Sequence, residues 1–295
     1  MALLVEDLVP GPEGPAEVFG RVRPRLFGIA YRMLGSASEA EDIVQDVWLR
    51  WQGYDHASVQ NPPAFLATTA TRLAINASQT ARARRETYVG SWLPEPVDTS
   101  DDPALGAERG EALELAVLLL LERLSPTERA AYVLREAFDY PYGQIAEVIS
   151  SSEANARQLV SRARKHLADD RPAVVVPAEQ RRLLDAFLVA AQAGDFEALE
   201  ALFSEAVVST SDGGGVARAS RRPVTGRRHV ARFVASFAGF FWDGVELTAV
   251  EANGRPAVRI TRDGATVALL TLAASEAGID QLLWVMNPAK LTAVA

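Results

Sequence analysis

Apolar positions recur with helical spacing through the first half of the chain. In residues 39–51, Ile43, Val47 and Trp51 fall every fourth position and form one stripe, leaving Asp42, Gln45, Asp46 and Leu49 off it. Asn61-Pro62-Pro63 predicts a second helix start, because asparagine caps well and proline suits the first turn. That helix runs through Phe65, Leu66, Leu73 and Ile75. It ends in Arg82, Arg84 and Arg85, where cations complement the helix dipole. Ser125-Pro126-Thr127-Glu128 is a capping box with proline at the first helical position. The helix it opens carries Ala131, Leu134 and Phe138. A short helix, Tyr142 to Ile149, three serines and a helix from about Glu153 to Leu167 follow, with Ser152 as the cap of the last.

The period changes after residue 177. Helices at about Ala178–Ala193 and Phe196–Phe203 are joined by Gly194-Asp195. A strand at Ala206–Thr210 meets the glycine-rich turn Asp212-Gly213-Gly214-Gly215. A helix from Arg227 to Phe240 precedes strands near Val245–Glu251, Ala257–Thr261, Thr266–Ala273 and Ile279–Met286. Asp263-Gly264 is a two-residue hairpin signal. Helices followed by an antiparallel meander predict an α+β domain. The glycine turn lacks the lysine and following helix of a phosphate loop.

Composition divides the chain further. Its 295 residues suggest two or three domains, and 48 % apolar with 23 % charged residues excludes a wholly disordered chain. Acidic residues gather at Glu95, Asp98, Asp101, Asp102, Glu108 and Glu111, among Pro94, Pro96, Pro103 and Gly106, and read as a linker. A second break falls at 169–177. The expected organisation is a helical domain over 16–90, the linker over 91–110, a second helical domain over 111–170 and the α+β domain over 177–295.

The net charge of −8 argues against coating nucleic acid by bulk charge. The absence of cysteine excludes disulfides, thiolate metal sites and cysteine nucleophiles, and fits a reducing cytoplasm. The three histidines, His56, His166 and His229, are far apart in sequence, so no metal site or cofactor is expected. Met1 to Pro15 lacks the basic segment and apolar run of a signal peptide. Leu115–Leu121 falls far short of the roughly 20 residues that span a bilayer.

Local charge is more informative than the sum. Helix, tight turn and helix over 142–167 is the helix-turn-helix pattern, whose second helix enters the major groove. On that helix Ala156, Leu159, Val160, Ala163 and Leu167 can face inward. Asn155, Arg157, Gln158, Ser161, Arg162, Arg164 and Lys165 are left outside, a basic face suited to phosphate contact. The plainer reading is an ordinary amphipathic helix pair, and Ser150 stands where such turns commonly have glycine.

Together these segments resemble the bacterial extracytoplasmic-function sigma factors. The carriers are Ala40 to Trp48 (AEDIVQDVW), the Pro63-Ala64-Phe65-Leu66 helix start with Arg82–Arg85 downstream, Leu124 to Arg129 (LSPTER), and Ser152 to Gln158 (SEANARQ). The whole chain is similar to the subgroup with a C-terminal SnoaL-like (NTF2-like) domain, the SigJ type. Three landmarks carry that: Trp92-Leu93-Pro94-Glu95-Pro96, the Asp212–Gly215 turn, and Asn287-Pro288-Ala289-Lys290-Leu291. Ala289 stands where the subgroup has an acidic residue. Val216 stands where it has a basic one, with Arg218 two further on.

The resemblance implies a multidomain fold: two all-α sigma domains, the second with the helix-turn-helix, followed by a cone-shaped α+β domain. It implies a cytoplasmic, non-enzymatic protein without a cofactor or membrane contact. Its partners would be core RNA polymerase, through the clamp helices of the largest subunit and the flap, and promoter DNA. Asp42, Gln45, Asp46 and Leu49 would dock on polymerase. Asp55, Ser58, Gln60, Asn61, Arg72, Arg82, Arg84 and Arg85 would open and hold the −10 element. Asn155, Arg157, Gln158, Ser161, Arg162, Arg164 and Lys165 would read the −35 element. Trp92, Leu93, Pro94, Asp212, Gly213, Gly214, Gly215, Asn287, Pro288, Lys290 and Leu291 would form regulatory contacts by which the fused domain clamps the other two.

Two other classes stay open on sequence. One is a ligand-responsive helix-turn-helix repressor. The other is a SnoaL-like cyclase or isomerase fused to a DNA-binding module. For the enzyme, Asp212, Asp243 and His229 are candidate acid–base residues, and Phe240, Phe241, Trp242, Trp284 and Met286 would line a pocket with room for an unknown small ligand as the alternative occupant. The plainer alternative makes Asp212 and Asp243 turn residues and the aromatics core.

Overall fold

The structure, a computed structural model, describes residues 14–99, 114–168 and 175–294. The acidic stretch from Asp101 to Glu111, the break over 169–174 and residues 1–13 lie outside the described residues.

Helix α1 (Pro15–Leu34) ends where Gly35 turns left-handed at φ 65° and returns its N–H to Tyr31 O. Helix α2 (Ala37–Gln52) is capped by Ser36, whose Oγ accepts from Glu39 N at 3.2 Å. Its stripe of Ile43, Val47 and Trp51 is buried as the spacing predicts. Helix α3 (Pro62–Glu86) begins where Asn61 Oδ1 accepts from Ala64 N. Four helices follow the undescribed stretch: α4 (Leu115–Leu121), α5 (Pro126–Glu136), α6 (Tyr142–Val148) and α7 (Glu153–Ala168). The capping box at α5 closes in both directions, Glu128 N to Ser125 Oγ at 3.3 Å and Ser125 N to Glu128 Oε2 at 3.2 Å. Ser150 takes the left-handed conformation at φ 53°, in the turn between α6 and α7 where glycine would be unstrained. The five inward residues of α7 are buried and its seven outward residues are exposed.

These seven helices do not form two separate cores. Leu26, Ile29 and Met33 of α1, Leu66 and Ala70 of α3, Leu118 of α4, Val133 of α5 and Val160 of α7 belong to one continuous apolar cluster.

The C-terminal part opens with α8 (Pro177–Ala193) and α9 (Phe196–Leu202). Strand β1 (Phe203–Asp212), a two-residue β2 (Val224–Thr225), and helices α10 (Arg227–Ala235) and α11 (Ala238–Phe241) follow. Strands β3 (Val245–Ala252), β4 (Arg255–Arg262), β5 (Ala265–Ser275) and β6 (Gly278–Val285) complete it. The sheet order is β2-β1-β6-β5-β4-β3. The predicted meander is β3 to β6. It is joined to β1 by a parallel β1–β6 pairing that local pattern does not reveal. Two of the three hairpin turns are of the type that needs two left-handed residues: Asp263-Gly264 at φ 51° and 77°, and Asn253-Gly254 at 56° and 71°. The helix expected from Arg227 to Phe240 breaks at Ser236-Phe237. The break drops Phe237 edge-on against Phe233, Phe241 and Trp284.

The sheet is covered on both faces. Val258, Ile260, Leu270, Leu282 and Trp284 face the helices, where Leu184, Phe187, Val230 and Val234 complete a core. The alternate positions, Ala257, Leu269, Ala273, Leu283 and Val285, point the other way. They are covered by Leu93, by Leu115 and Ala116 at the start of α4, and by Leu291 and Val294 of the C-terminal tail.

Candidate functional site

The expected polymerase-docking row is fully displayed. Asp42, Gln45, Asp46 and Leu49 are exposed on α2, and Leu49, 57 % exposed, is an apolar side chain held in solvent. On α7 the three arginines are exposed but partnered. Arg162 pairs with Glu128 at 3.3 Å, Arg164 with Glu136 at 2.7 Å, and Arg157 with Glu153 while stacking on Tyr142.

The set expected at the −10 element divides. Asp55 caps a turn of 3-10 helix (His56–Ser58), Ser58 Oγ donates to Asp55 O, and Gln60 and Asn61 are exposed beside it. Arg82 is exposed. Arg72 instead reaches across to the end of α6, donating to Val148 O at 2.9 Å and Glu147 O at 2.8 Å, with Ser150 Oγ at 3.3 Å. Arg84 pairs with Glu39. Arg85 is drawn inward to Leu34 O and Glu122, and its guanidinium stacks 3.7 Å over Trp92. Burial, with Arg129 nearby, pushes the Arg85 pKa down. Arg129, wholly buried and also lowered by burial, holds Arg32 O at 2.8 Å and shares Glu122. Arg72, Arg84 and Arg85 therefore act here as ties between helices rather than as free cations facing DNA.

Residues 91–99 run as a buried strap rather than a solvated spacer, because Trp92, Leu93 and Val97 carry apolar surface into the crevice. Glu95 Oε2 sits over the start of α2, accepting from Ala37 N and Ser36 Oγ at 2.9 Å each, and from Ser38 Oγ at 3.3 Å. A carboxylate there also answers the helix dipole. Its backbone O accepts from Tyr31 Oη at 2.6 Å. Asn253 Nδ2 donates to that same phenol at 2.7 Å, and Asn253 Oδ1 accepts from Val97 N. Thr99 N donates to Glu251 O, so the strap adds to the open edge of β3.

The contacts converge on Asp212. The glycine turn follows it, but Asp212 itself ends β1 and is wholly buried, which corrects the reading of it as a turn residue. Oδ1 accepts from Tyr88 Oη at 2.6 Å and Gly214 N at 3.0 Å. Oδ2 accepts from Leu93 N at 2.9 Å and Lys290 Nζ at 2.7 Å. Lys290 also donates to Leu93 O at 2.6 Å and lies over the rings of Trp92 and Tyr88. Asn287 Nδ2 donates to Tyr88 Oη at 2.8 Å. Gly214 is required here: it is left-handed, and a Cβ would stand 2.5 Å from Asn287. Gly213 and Gly215 fold tightly around it, Gly215 against Val89. Pro288 is exposed and turns the tail so that Leu291 is buried on the sheet. All three landmark segments thus meet at one carboxylate. Pro94 lies buried in the strap beside Gly35. Tyr88, Tyr31 and Asn253 were not singled out from sequence; only Asn253-Gly254, a hairpin dipeptide, carried a signal.

On the helix side of the sheet lies a cavity of about 310 Å³, lined by Phe237, Phe240, Phe241, Trp284 and Met286, with Ser211, Ser236 and Arg218. Asp212, Asp243 and His229 do not line it. Trp242 packs behind, 6.2 Å from Trp284.

Among the described residues no helix is long and apolar enough to cross a membrane, and no cluster of three metal-ligating side chains occurs.

Residues 18–85 match the sigma-70 region 2 family and residues 114–167 match sigma-70 region 4. The chain is 38 % identical over 234 residues to the ECF RNA polymerase sigma factor SigJ of Mycobacterium tuberculosis, covering 77 % of this chain and 74 % of SigJ. It is 30 % identical over 276 residues to a probable ECF RNA polymerase sigma factor SigI of the same species, covering 91 % and 92 % of the two chains. The crystal structure of M. tuberculosis SigJ superposes with a TM-score of 0.76 at 32 % identity, over 93 % of this chain and 97 % of that one. With two helical sigma regions in order and a mixed α/β domain after them, the chain belongs to the extracytoplasmic-function RNA polymerase sigma factors.

Proposed function

We propose that this sigma factor is held by its own C-terminal domain in a closed state that withholds promoter-binding residues, and that opening at Asp212 releases it. The single observation behind this reading is the buried Asp212, which joins Tyr88 at the end of the region 2 helix, Leu93 of the strap and Lys290 of the tail. One carboxylate ties three separate stretches of chain, so losing it would loosen all of them.

Distance supports the same reading. The −10 and −35 elements are, by their names, about 25 base pairs apart, or about 85 Å at 3.4 Å per pair. A compact body of some 150 residues is on the order of 40 Å across. Helices α1 to α7 share one core, so regions 2 and 4 must separate before both elements are read at once. Separation would also free Arg72 from α6 and Arg85 from Glu122. In the open state Asp42, Gln45, Asp46 and Leu49 dock on the clamp helices of the largest polymerase subunit and region 4 meets the flap. Asp55, Ser58, Gln60, Asn61 and the arginines of α3 hold the melted −10 strand. The exposed row of α7 reads the −35 element.

The aromatic cavity does not favour a cyclase or isomerase role for the C-terminal domain. An isomerase or cyclase pocket needs a carboxylate or imidazole aimed into it, and none lines the aromatic cavity.

The test is binding to sigma-free core polymerase by the intact chain and by Asp212→Ala. Tighter binding by the variant supports the reading, provided that adding Leu49→Glu abolishes it. Equal binding by both proteins would sink it.

A further inference from the structure

The aromatic cavity does not end at Met286. It shares Ser211, Arg218, Ala219 and Ser220 with a second, more polar space of about 270 Å³. Arg221, Gly213 and Gly215 line that space on one side and Val89 and Gly90 on the other. The first chamber is apolar and its rings meet edge to face around Phe237 and Trp284. The second carries two arginines. Neither Arg218 nor Arg221 forms an ion pair among the described residues, and Arg218 only stacks 5.7 Å from the Phe240 ring centre. No acidic side chain lines either space. Trp284 is 3 % exposed, and its indole N–H is buried without a hydrogen-bond partner. A buried donor left unpaired costs about 1–3 kcal/mol, so such groups call for a partner.

From these features we infer that the joined cavities bind a small aromatic anion. Its planar body lies among Phe237, Phe240, Phe241 and Trp284, and its carboxylate or comparable acidic group faces Arg218 and Arg221. The apolar chamber fits such a body because rings stack favourably and gain from area removed from water. A volume of about 300 Å³ is at the lower end of small-molecule sites. An acidic group is selected because two cations share the mouth with no counter-charge.

The mouth has a second property. Val89 and Gly90 belong to the sigma half, and they complete the site only while they meet the glycine turn. A ligand that binds one arrangement better shifts the population toward it. The ligand therefore strengthens the closed state, and this consequence rests on the closed-state reading above. Binding itself does not.

The probe is 2-naphthoate, titrated into the full chain and followed by tryptophan fluorescence and calorimetry, with neutral 2-naphthamide beside it. Saturable naphthoate binding is expected, at least tenfold tighter than the amide. Arg218→Gln, a change at an exposed side chain, should remove about that tenfold without altering the melting temperature of the free protein. Phe237→Ala should weaken acid and amide alike. A site elsewhere, or none, follows if naphthoate does not saturate or if Arg218→Gln leaves its affinity unchanged, and either result overturns the assignment. Saturating naphthoate should also lower core polymerase binding of the native chain but not of Arg218→Gln. Binding without that effect would retain the site and refute only its link to closure.

Discussion

Lys290 Nζ lies 2.7 Å from Oδ2 of Asp212, an aspartate that solvent does not reach. The pair is close in space only because the tail returns after β6 to the end of β1. Burial pulls the lysine pKa down, while Asp212 opposes that shift. Truncating one member strands the other charge away from water, which costs about 3–5 kcal/mol for a buried pair. Asp212→Ala should therefore lower the melting temperature by several degrees and expose the strap to proteolysis. Lys290→Met should do less, because Asp212 keeps Tyr88, Leu93 N and Gly214 N. The double variant should fall short of the sum of the two. Strict additivity in thermal melts would show that the two residues act separately.

Glu95 makes a separate prediction at the other end of the strap. Its carboxylate serves donors at the start of α2, the helix that displays Asp42, Gln45, Asp46 and Leu49. Glu95→Gln keeps the shape but loses the charge that answers the helix terminus. Glu95→Ala loses both, and about 1–3 kcal/mol with them. Hydrogen exchange should rise over residues 36–40 in the order native, Gln, Ala. Unchanged protection there in the alanine variant would refute the capping role.

How much of this could be read from sequence follows the range of the interactions. The helix caps at Ser36, Asn61 and Ser125 and the inward row of α7 are local, set by residues three or four apart, and they were legible except for Ser36. The parallel pairing of β1 with β6 was not, because its partners are some 70 residues apart and no local period encodes them. Strand β5 did carry a sign of two-sided cover. Val267 to Ala274 is apolar with a single threonine rather than alternating, as in strands buried on both faces. The landmark motifs pointed to Asp212 and Lys290, but nothing in them gave Tyr88 or Glu95 a partner. Arg72, in the middle of α3, and Arg85, at its end, read as cations for phosphate because an outward arginine looks the same in sequence whether it meets DNA or a protein carbonyl.

Arg72 bridges regions 2 and 4 through the carbonyls of Glu147 and Val148. The guanidinium is exposed, so its loss should cost the fold only about 1 kcal/mol. Its effect should show as distance instead. The chain has no cysteine, so a donor and acceptor dye can be placed cleanly at Gln52→Cys and Lys165→Cys. Arg72→Ala should lower transfer efficiency in the free protein, and the loss should be larger in combination with Asp212→Ala. If Arg72→Ala leaves the transfer unchanged, the contact does not hold the regions together.

The two tyrosines at the junction predict how closure responds to alkali. Tyr31 is raised above its usual value of 10.0 by complete burial, against the hydrogen bond from Asn253. Tyr88 is raised by burial and then by its hydrogen bond to the Asp212 carboxylate, which a phenolate would repel. Both phenols keep their protons longer in the closed protein than in the unfolded chain. Their contribution is complete below pH 10 and is lost as pH rises beyond it toward the folded-state values. Lys290 works in the opposite sense, since a lowered lysine favours folding as pH rises toward 10.5. Tyr31 and Tyr88, then, should titrate late and together with opening. Tyrosinate absorbance should show a late step that coincides with loss of the energy-transfer signal. Tyr88→Phe should shrink that step and move opening to lower pH, because Asp212 and Asn287 lose the hydroxyl they share. A late step that Tyr88→Phe leaves unchanged in size would mean that this phenol is not held by the junction.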